Sequence, residues 1–141
     1  MSEEKKQPRV CVGVLLLNPK GEILFIRSHK FSNTWTIPGG GVEWGEKAED
    51  TVVRETKEET GLHATDVQFL QVEECIFPKE FHKERHFIFL DYYAKTQGGE
   101  VILNEEAEEY CWRTPTEARR LDLNTSTRGF LEAYMKEVKG E

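Results

Sequence analysis

Residues 40–62 read GGVEWGEKAEDTVVRETKEETGL, and this stretch decides the fold. The spacing predicts a helix over 47–60. Ala48, Val52 and Thr56 fall at i, i+4 and i+8 with Val53 beside them, which is an apolar stripe for a core. Gly61 stands where a left-handed residue ends a helix. Arg54, Glu55, Glu58 and Glu59 crowd the last turns. Residues three and four apart share a helix face at roughly 5–6 Å between Cβ atoms, so these glutamates repel one another. They also sit at the helix end that carries partial negative charge and favours cations. Such a cluster is tolerated when positive charge comes from outside, and a divalent metal bound to phosphate is the obvious source.

The flanking sequence places this helix in a mixed α/β domain. Val10 to Leu17 (VCVGVLLL) is an apolar run rich in β-branched residues and reads as a buried strand. Asn18-Pro19-Lys20-Gly21 is a turn, and Glu22 to Arg27 returns as a second strand, so a hairpin is expected. Ser28 to Thr34 reads as a loop. Trp35 to Pro38 then leads into Gly39-Gly40-Gly41, where the backbone passes through tight conformations. Further strands are expected at Val67–Ile76, His86–Ala94, Glu100–Leu103 and Tyr110–Arg113. Thr114, Pro115 and Glu117 form a helix start as N-cap, N1 and N3. Thr125 or Ser126 opens a last amphipathic helix to about Val138, with Phe130, Leu131 and Tyr134 on its apolar side. Residues 1–8 read as a flexible tail, and 9–141 as one domain without repeats or linkers.

With 141 residues the chain can bury a core of its own. Its net charge of −7 argues against a nucleic acid polymer as partner, since phosphate backbones demand Lys/Arg neutralisation. A small phosphorylated ligand held through a metal remains compatible. No apolar run approaches the length of a membrane span. Cys11, Cys75 and Cys111 are odd in number and form no CxxC, so reduced, buried thiols in a cytoplasmic protein are expected.

Gly40, Glu46, Arg54, Glu55, Glu58, Glu59, Gly61 and Leu62 follow the pattern G, five residues, E, seven residues, R-E-x-x-E-E-x-G and an apolar residue. This resembles the Nudix box of the MutT-like Nudix hydrolases, complete over 23 residues. Thr56 departs from it, since the family usually has an aliphatic residue there. Its hydroxyl is expected to bond back to the carbonyl four residues earlier. The resemblance implies a Nudix α/β/α sandwich around a central mixed sheet. It also implies a metal-dependent pyrophosphohydrolase acting on a nucleoside diphosphate linked to a moiety X. Nucleoside triphosphates are slightly favoured by the compact domain, followed by ADP-ribose or a nucleotide sugar, then dinucleoside polyphosphates. The rival reading is a Nudix-fold nucleotide-binding or regulatory module without turnover.

The chemistry explains the residue types. Hard cations such as Mg²⁺, with Mn²⁺ possible, take oxygen ligands and bridge carboxylates to phosphates. Glu55, Glu58 and Glu59 can supply oxygens from one helix, and the resemblance adds the Gly40 carbonyl. Arg54 is expected to orient a box carboxylate, with Glu46 its partner and Gly61 ending the helix. Glu55 is the first choice for general base. The resemblance also implies a metal-binding glutamate shortly before Trp112, for which Glu106 is favoured over Glu105, against a solvated acidic loop. Arg27 is a candidate phosphate contact on the same ground, and Pro78 resembles a mark of ADP-ribose hydrolases. Trp35, Phe31 and Phe81 are open to stacking on a base or to plain packing, and Trp35 and Phe81 are carried forward as candidate substrate contacts. Lys79, Lys83 and Arg85 form a basic patch that either attracts polyphosphate or is merely solvated. Asn124 reads as a base contact or an N-cap. His82 and His86 lie in strand-like sequence and suit surface or phosphate contacts better than zinc. The expected partner is a small nucleotide, with the chain a monomer or homodimer.

Overall fold

The structure is a computed structural model that describes residues 6–141. Residues 1–5 of the expected tail lie outside the described residues; 6–8 are exposed and irregular. Seven strands make one mixed sheet: β1 (Arg9–Leu17), β2 (Ile23–Arg27), β3 (Trp35–Thr36), β4 (Gly39–Gly41), β5 (Thr65–Ile76), β6 (His86–Lys95) and β7 (Glu109–Arg113). The helices are α1 (Ala48–Thr60), α2 (Pro115–Ala118) and α3 (Thr125–Glu137). The sheet runs β3-β2-β1-β6-β5, with β4 paired to β1 and β7 to β2.

Strand β1 is apolar and buried from Cys11 to Leu16 because both its faces are covered there. Val12, Val14 and Leu16 pack with Val52 of α1, Leu62 and Ala94. On the opposite face Leu15 joins Phe25 and the α3 residues Phe130, Leu131, Tyr134 and Met135. Two helices thus sandwich one sheet, as expected.

The β1–β2 hairpin forms as expected, whereas three other local expectations need correction. The hairpin closes at Leu17↔Ile23. Beyond it β1 runs parallel to β6 from Arg9↔Phe87 to Leu17↔Lys95, while β2 pairs with β7. Burial on both faces rewards these longer pairings beyond the hairpin. Glu100–Leu103 forms no strand. After Gly98 and Gly99, both with positive φ, the chain folds onto the end of α1, and the Ile102 N–H donates to the Thr60 carbonyl at 2.9 Å. The buried Thr56 hydroxyl makes no hydrogen bond; Thr60 Oγ1 instead donates to the Thr56 carbonyl at 2.6 Å. The cysteines are free, but only Cys11 is buried, and Cys75 and Cys111 are half-buried.

Helix ends follow the sequence closely. Gly61 caps α1 at φ 76° with its N–H on the Lys57 carbonyl. Thr114 and Glu117 complete a capping box. Asn124 is the N-cap of α3, accepting from the Thr127 N–H at 2.8 Å. Ser28 to Thr34 contains a 3₁₀ turn at His29–Phe31.

Candidate active site

A cavity of about 370 Å³ opens between the sheet and the N-terminal end of α3. Gly39, Gly40, Gly41, Glu59 and Glu106 line one part of it, and Gly13, Asp91, Asn124, Thr127 and Phe130 another. Arg9, Lys30, Lys83 and Arg85 supply positive charge along its walls. In a chain of net charge −7, that concentration of cations favours an anionic ligand.

Helix α1 presents the box residues. Arg54 is their organiser. Its Nε donates to Glu46 Oε2 at 2.8 Å and its Nη2 to Glu46 Oε1 at 3.0 Å. Nη2 also donates to the Gly41 carbonyl, and Nη1 reaches Glu55 at 2.9 Å and Glu58 at 3.2 Å. This bidentate grip, helped by the Thr51 hydroxyl, lowers the Glu46 carboxyl to about 2. The same carboxylates raise Arg54 further above its already high range.

The other box carboxyls shift the opposite way. Glu59 is 5% exposed, and its Oε2 accepts from the Gly39 N–H at 2.9 Å. Burial raises its pKa well above the usual range, and Glu55 and Glu106 add to the shift. Glu55 is raised by burial, against the pull of Arg54. Its carboxylate lies over Gly40, where a Cβ would come within 2.3 Å of it, so only glycine fits without displacing the carboxylate. Glu58 lies further out, half-exposed on Arg54.

Glu106 faces the cavity and accepts from Lys30 Nζ at 3.1 Å, whereas Glu105 is exposed. Arg27 and Trp35 do not line the cavity. Arg27 pairs with Glu109 across the β2–β7 ladder and lies over the Trp35 ring at 5.3 Å. Phe81 does line it, braced by Phe31 and Phe87 at centroid distances of 4.9 and 5.1 Å. Lys83 and Arg85 of the basic patch reach the cavity, as does His82, while Lys79 does not. His86 Nε2 is buried without a partner.

Among the described residues no three acidic, histidine or cysteine side chains converge as a finished metal cage. Arg54 and Lys30 hold Glu55, Glu58 and Glu106 in salt bridges. The donor set nonetheless fits a hard cation. It is made of carboxylate oxygens, burial raises Glu55 and Glu59, and the ionised Glu59 has no ion pair among the described residues.

Sequence reasoning passed over Lys30, Arg9, Gly13 and Asp91, all of which line the cavity. Two signals were present. Gly13 interrupts an otherwise bulky strand, and Asp91 is an acid within the apolar run HFIFLDYYA.

Comparison with known proteins agrees with this architecture. The NUDIX domain family matches residues 7–134. The chain is 35% identical over 104 residues to the nucleoside triphosphatase NudI of Escherichia coli K12, covering 70% of this chain and 74% of that protein. Its fold is similar to the crystal structure of a MutT NUDIX hydrolase from Burkholderia pseudomallei, with TM-score 0.78, 30% identity, and coverage of 91% and 98% of the two chains. A MutT protein from Methanosarcina mazei Go1 superposes with TM-score 0.77 at 27% identity, covering 97% of this chain and 99% of that one. With the box built on α1 and the match spanning nearly the whole chain, the protein belongs to the Nudix hydrolase family, enzymes that hydrolyse phosphoanhydrides.

Proposed function

We propose that the chain hydrolyses nucleoside triphosphates to the monophosphate and pyrophosphate with Mg²⁺, or Mn²⁺ in its place. The observation that carries this reading is Glu59, a buried carboxyl with no cation partner among the described residues, at the wall of a cavity rich in Arg and Lys. The family requires divalent metal in general. The similarity to an enzyme named nucleoside triphosphatase supports the choice of substrate.

In this reading Glu55, Glu58, Glu59, Glu106 and the Gly40 carbonyl would hold the cation. Bound there, it would neutralise phosphate charge and acidify water. Glu55 serves as general base and takes the proton of the attacking water. Its burial raises its proton affinity toward the working range of a base, and Arg54 fixes its position. Arg54 is itself fixed by Glu46, so its fork cannot rotate away from Glu55 and Glu58. Water adds to one phosphorus, the bridging P–O bond breaks, and pyrophosphate leaves with the bond's electron pair. Lys30, Lys83, Arg85 and Arg9 bind the polyphosphate, and Phe81 offers an aromatic wall. Arg27 joins them only if substrate draws it from Glu109. Every group named comes from one chain, so the reading holds for a monomer or a homodimer. Pro78 does not line the cavity, and its carbonyl accepts from the Phe81 N–H at 3.2 Å.

The test is a substrate panel with product identification, run with Mg²⁺ and with Mn²⁺. It covers nucleoside triphosphates, ADP-ribose, nucleotide sugars and dinucleoside polyphosphates. Monophosphate and pyrophosphate from triphosphates are expected, with turnover largely abolished and the fold retained in Glu58→Gln. Absence of any phosphate product across the panel would defeat the reading.

A further inference from the structure

Away from the box, the cavity is floored by a group that the hydrolytic chemistry does not use. Asp91 on β6 is 1% exposed and lines the cavity. Its Oδ2 accepts from Gln71 Nε2 at 3.0 Å, and its carboxyl lies in hydrogen-bonding contact with Glu73. Glu73 in turn accepts from Ser126 Oγ at 3.4 Å. Directly across the ladder from Asp91 stands Gly13. A methyl there would lie 3.2 Å from Asp91 Oδ1, 3.4 Å from Ile37 and 3.5 Å from Phe130. Glycine in the middle of a core strand costs stability, and it often marks a place where a ligand approaches closely. Here it keeps open the space above Asp91.

A second side chain faces the same space. Asn124 is 2% exposed and lines the cavity. Its Oδ1 is committed to the Thr127 N–H, and its amide nitrogen donates to no group among the described residues. That leaves the amide nitrogen of a cavity-lining side chain free to donate to a ligand. Asp91 and Asn124 are thus two buried polar side chains that line one cavity together with Phe130.

Position relates this pair to the box. Gly39, which binds Glu59, is paired to Gly13 on β1, and Gly13 is paired to Asp91 on β6. Asp91 is thus two strand spacings, about 10 Å, from the glycine wall. A nucleotide whose phosphates lie at that wall and at Lys30 would project its base toward Asp91.

We propose that Asp91 is a specificity-determining residue that meets the nucleobase edge of the substrate, with Gly13 leaving room for the base and Asn124 supplying a second contact. The inference rests on the nucleotide reading above. Burial, together with Glu73, raises the Asp91 carboxyl far above the usual carboxylate range, so it holds a proton that it shares with Glu73 and keeps acceptor capacity toward the cavity. An acceptor beside an amide donor is complementary to a base edge presenting an N–H next to a ring nitrogen or carbonyl. It has no such complement in a sugar phosphate without a base.

The experiment measures kcat/KM for the four common ribonucleoside triphosphates and for inorganic tripolyphosphate, with thermal unfolding as the control for folding. Wild type, Asp91→Asn and Gly13→Ala are compared. Asp91→Asn should lower kcat/KM for the preferred nucleotide by about 10- to 100-fold and flatten or reorder the ranking of bases, leaving tripolyphosphate within about twofold. Gly13→Ala, on another strand, should produce the same selective loss by filling the space, and it carries the test if Asp91→Asn does not fold. The ranking among bases decides the matter if tripolyphosphate is not turned over. Equal losses on every substrate, or an unchanged ranking, would overturn the role of Asp91 alone. A wild type that hydrolyses no nucleotide would overturn this inference and the proposed function together.

Discussion

Glu59→Gln should stabilise the metal-free protein while abolishing its response to metal. Glu59 is 5% exposed, accepts one backbone N–H, from Gly39, and sits beside the acidic Glu55 and Glu106. Among the described residues no lysine or arginine forms an ion pair with it. Taking a carboxylate out of water costs several kcal/mol even after relaxation. One hydrogen bond to a charged acceptor returns about 1.5–3 kcal/mol. Glutamine keeps the shape and the acceptor for Gly39 but removes the charge, so a net gain of about 1–2 kcal/mol is expected. For a domain of this length that raises Tm by about 3–8 °C.

The gain should depend on pH in a defined direction. Folding raises the Glu59 pKa above its ordinary value near 4.5, so the ionised group penalises the folded state at neutral and alkaline pH. As pH falls through the raised folded value, the native protein takes up the proton and the penalty shrinks. Below about 4.5 both states of the wild type are protonated and the advantage of glutamine is gone. Thermal unfolding of both proteins in chelator across this range measures the difference, and titration with Mg²⁺ follows. Wild type should gain stability with metal by mass action, and Glu59→Gln should gain far less. A variant less stable than wild type in chelator at pH 8, or one stabilised equally by Mg²⁺, would refute the reasoning.

Other perturbations follow from the same geometry. Glu46 titrates near 2 in the folded protein against an ordinary 4.5, so its stabilising pairing is complete above 4.5 and lost as pH falls toward 2. Denaturant titrations at stepped pH should show a shallower acid limb in Glu46→Gln. Gly40→Ala would place a methyl 2.3 Å from the Glu55 carboxyl carbon. The side chain can swing aside, so the fold should survive, while displacement of the proposed base lowers kcat by about 100-fold in a steady-state assay. Thr56→Val removes a buried hydroxyl that lacks a partner and should raise unfolding free energy by about 1 kcal/mol in urea titrations.

What could be read in the chain was local. The box lies on one helix, where spacing of three and four residues converts directly into a shared face, and Gly61, Thr114 and Glu117 act within a single turn. The floor of the cavity obeys no such local rule. Asp91 meets Gly13 through a parallel pairing of strands some eighty residues apart. Gln71 and Glu73 reach Asp91 because β5 shifts register between Phe69 and Gln71. Phe69 pairs with Tyr92 on one face, and after the shift Gln71 pairs with Asp91 on the other. Simple alternation would have kept Phe69, Gln71 and Glu73 together. The β1–β2 hairpin was legible, but its further neighbours were not, since turn chemistry at Asn18–Gly21 says nothing about which strands later claim β1 and β2.

The box also shows why arginine, and one arginine only, suits its place. Arg54 meets Glu43, Glu46, Glu55 and Glu58, four carboxylates to one guanidinium, and Glu59 is not among its partners. It therefore cannot balance the charge of the helix end. Its planar fork can still hold each carboxylate at a defined angle, which a lysine ammonium could not do with its single centre. A second cation built into the chain would relieve the repulsion permanently and compete with any metal for the same oxygens. The arrangement fixes the geometry of the glutamates and leaves Glu59 without an ion pair among the described residues, so in the proposed function the stability that Glu59 forgoes would become binding energy for a divalent ion.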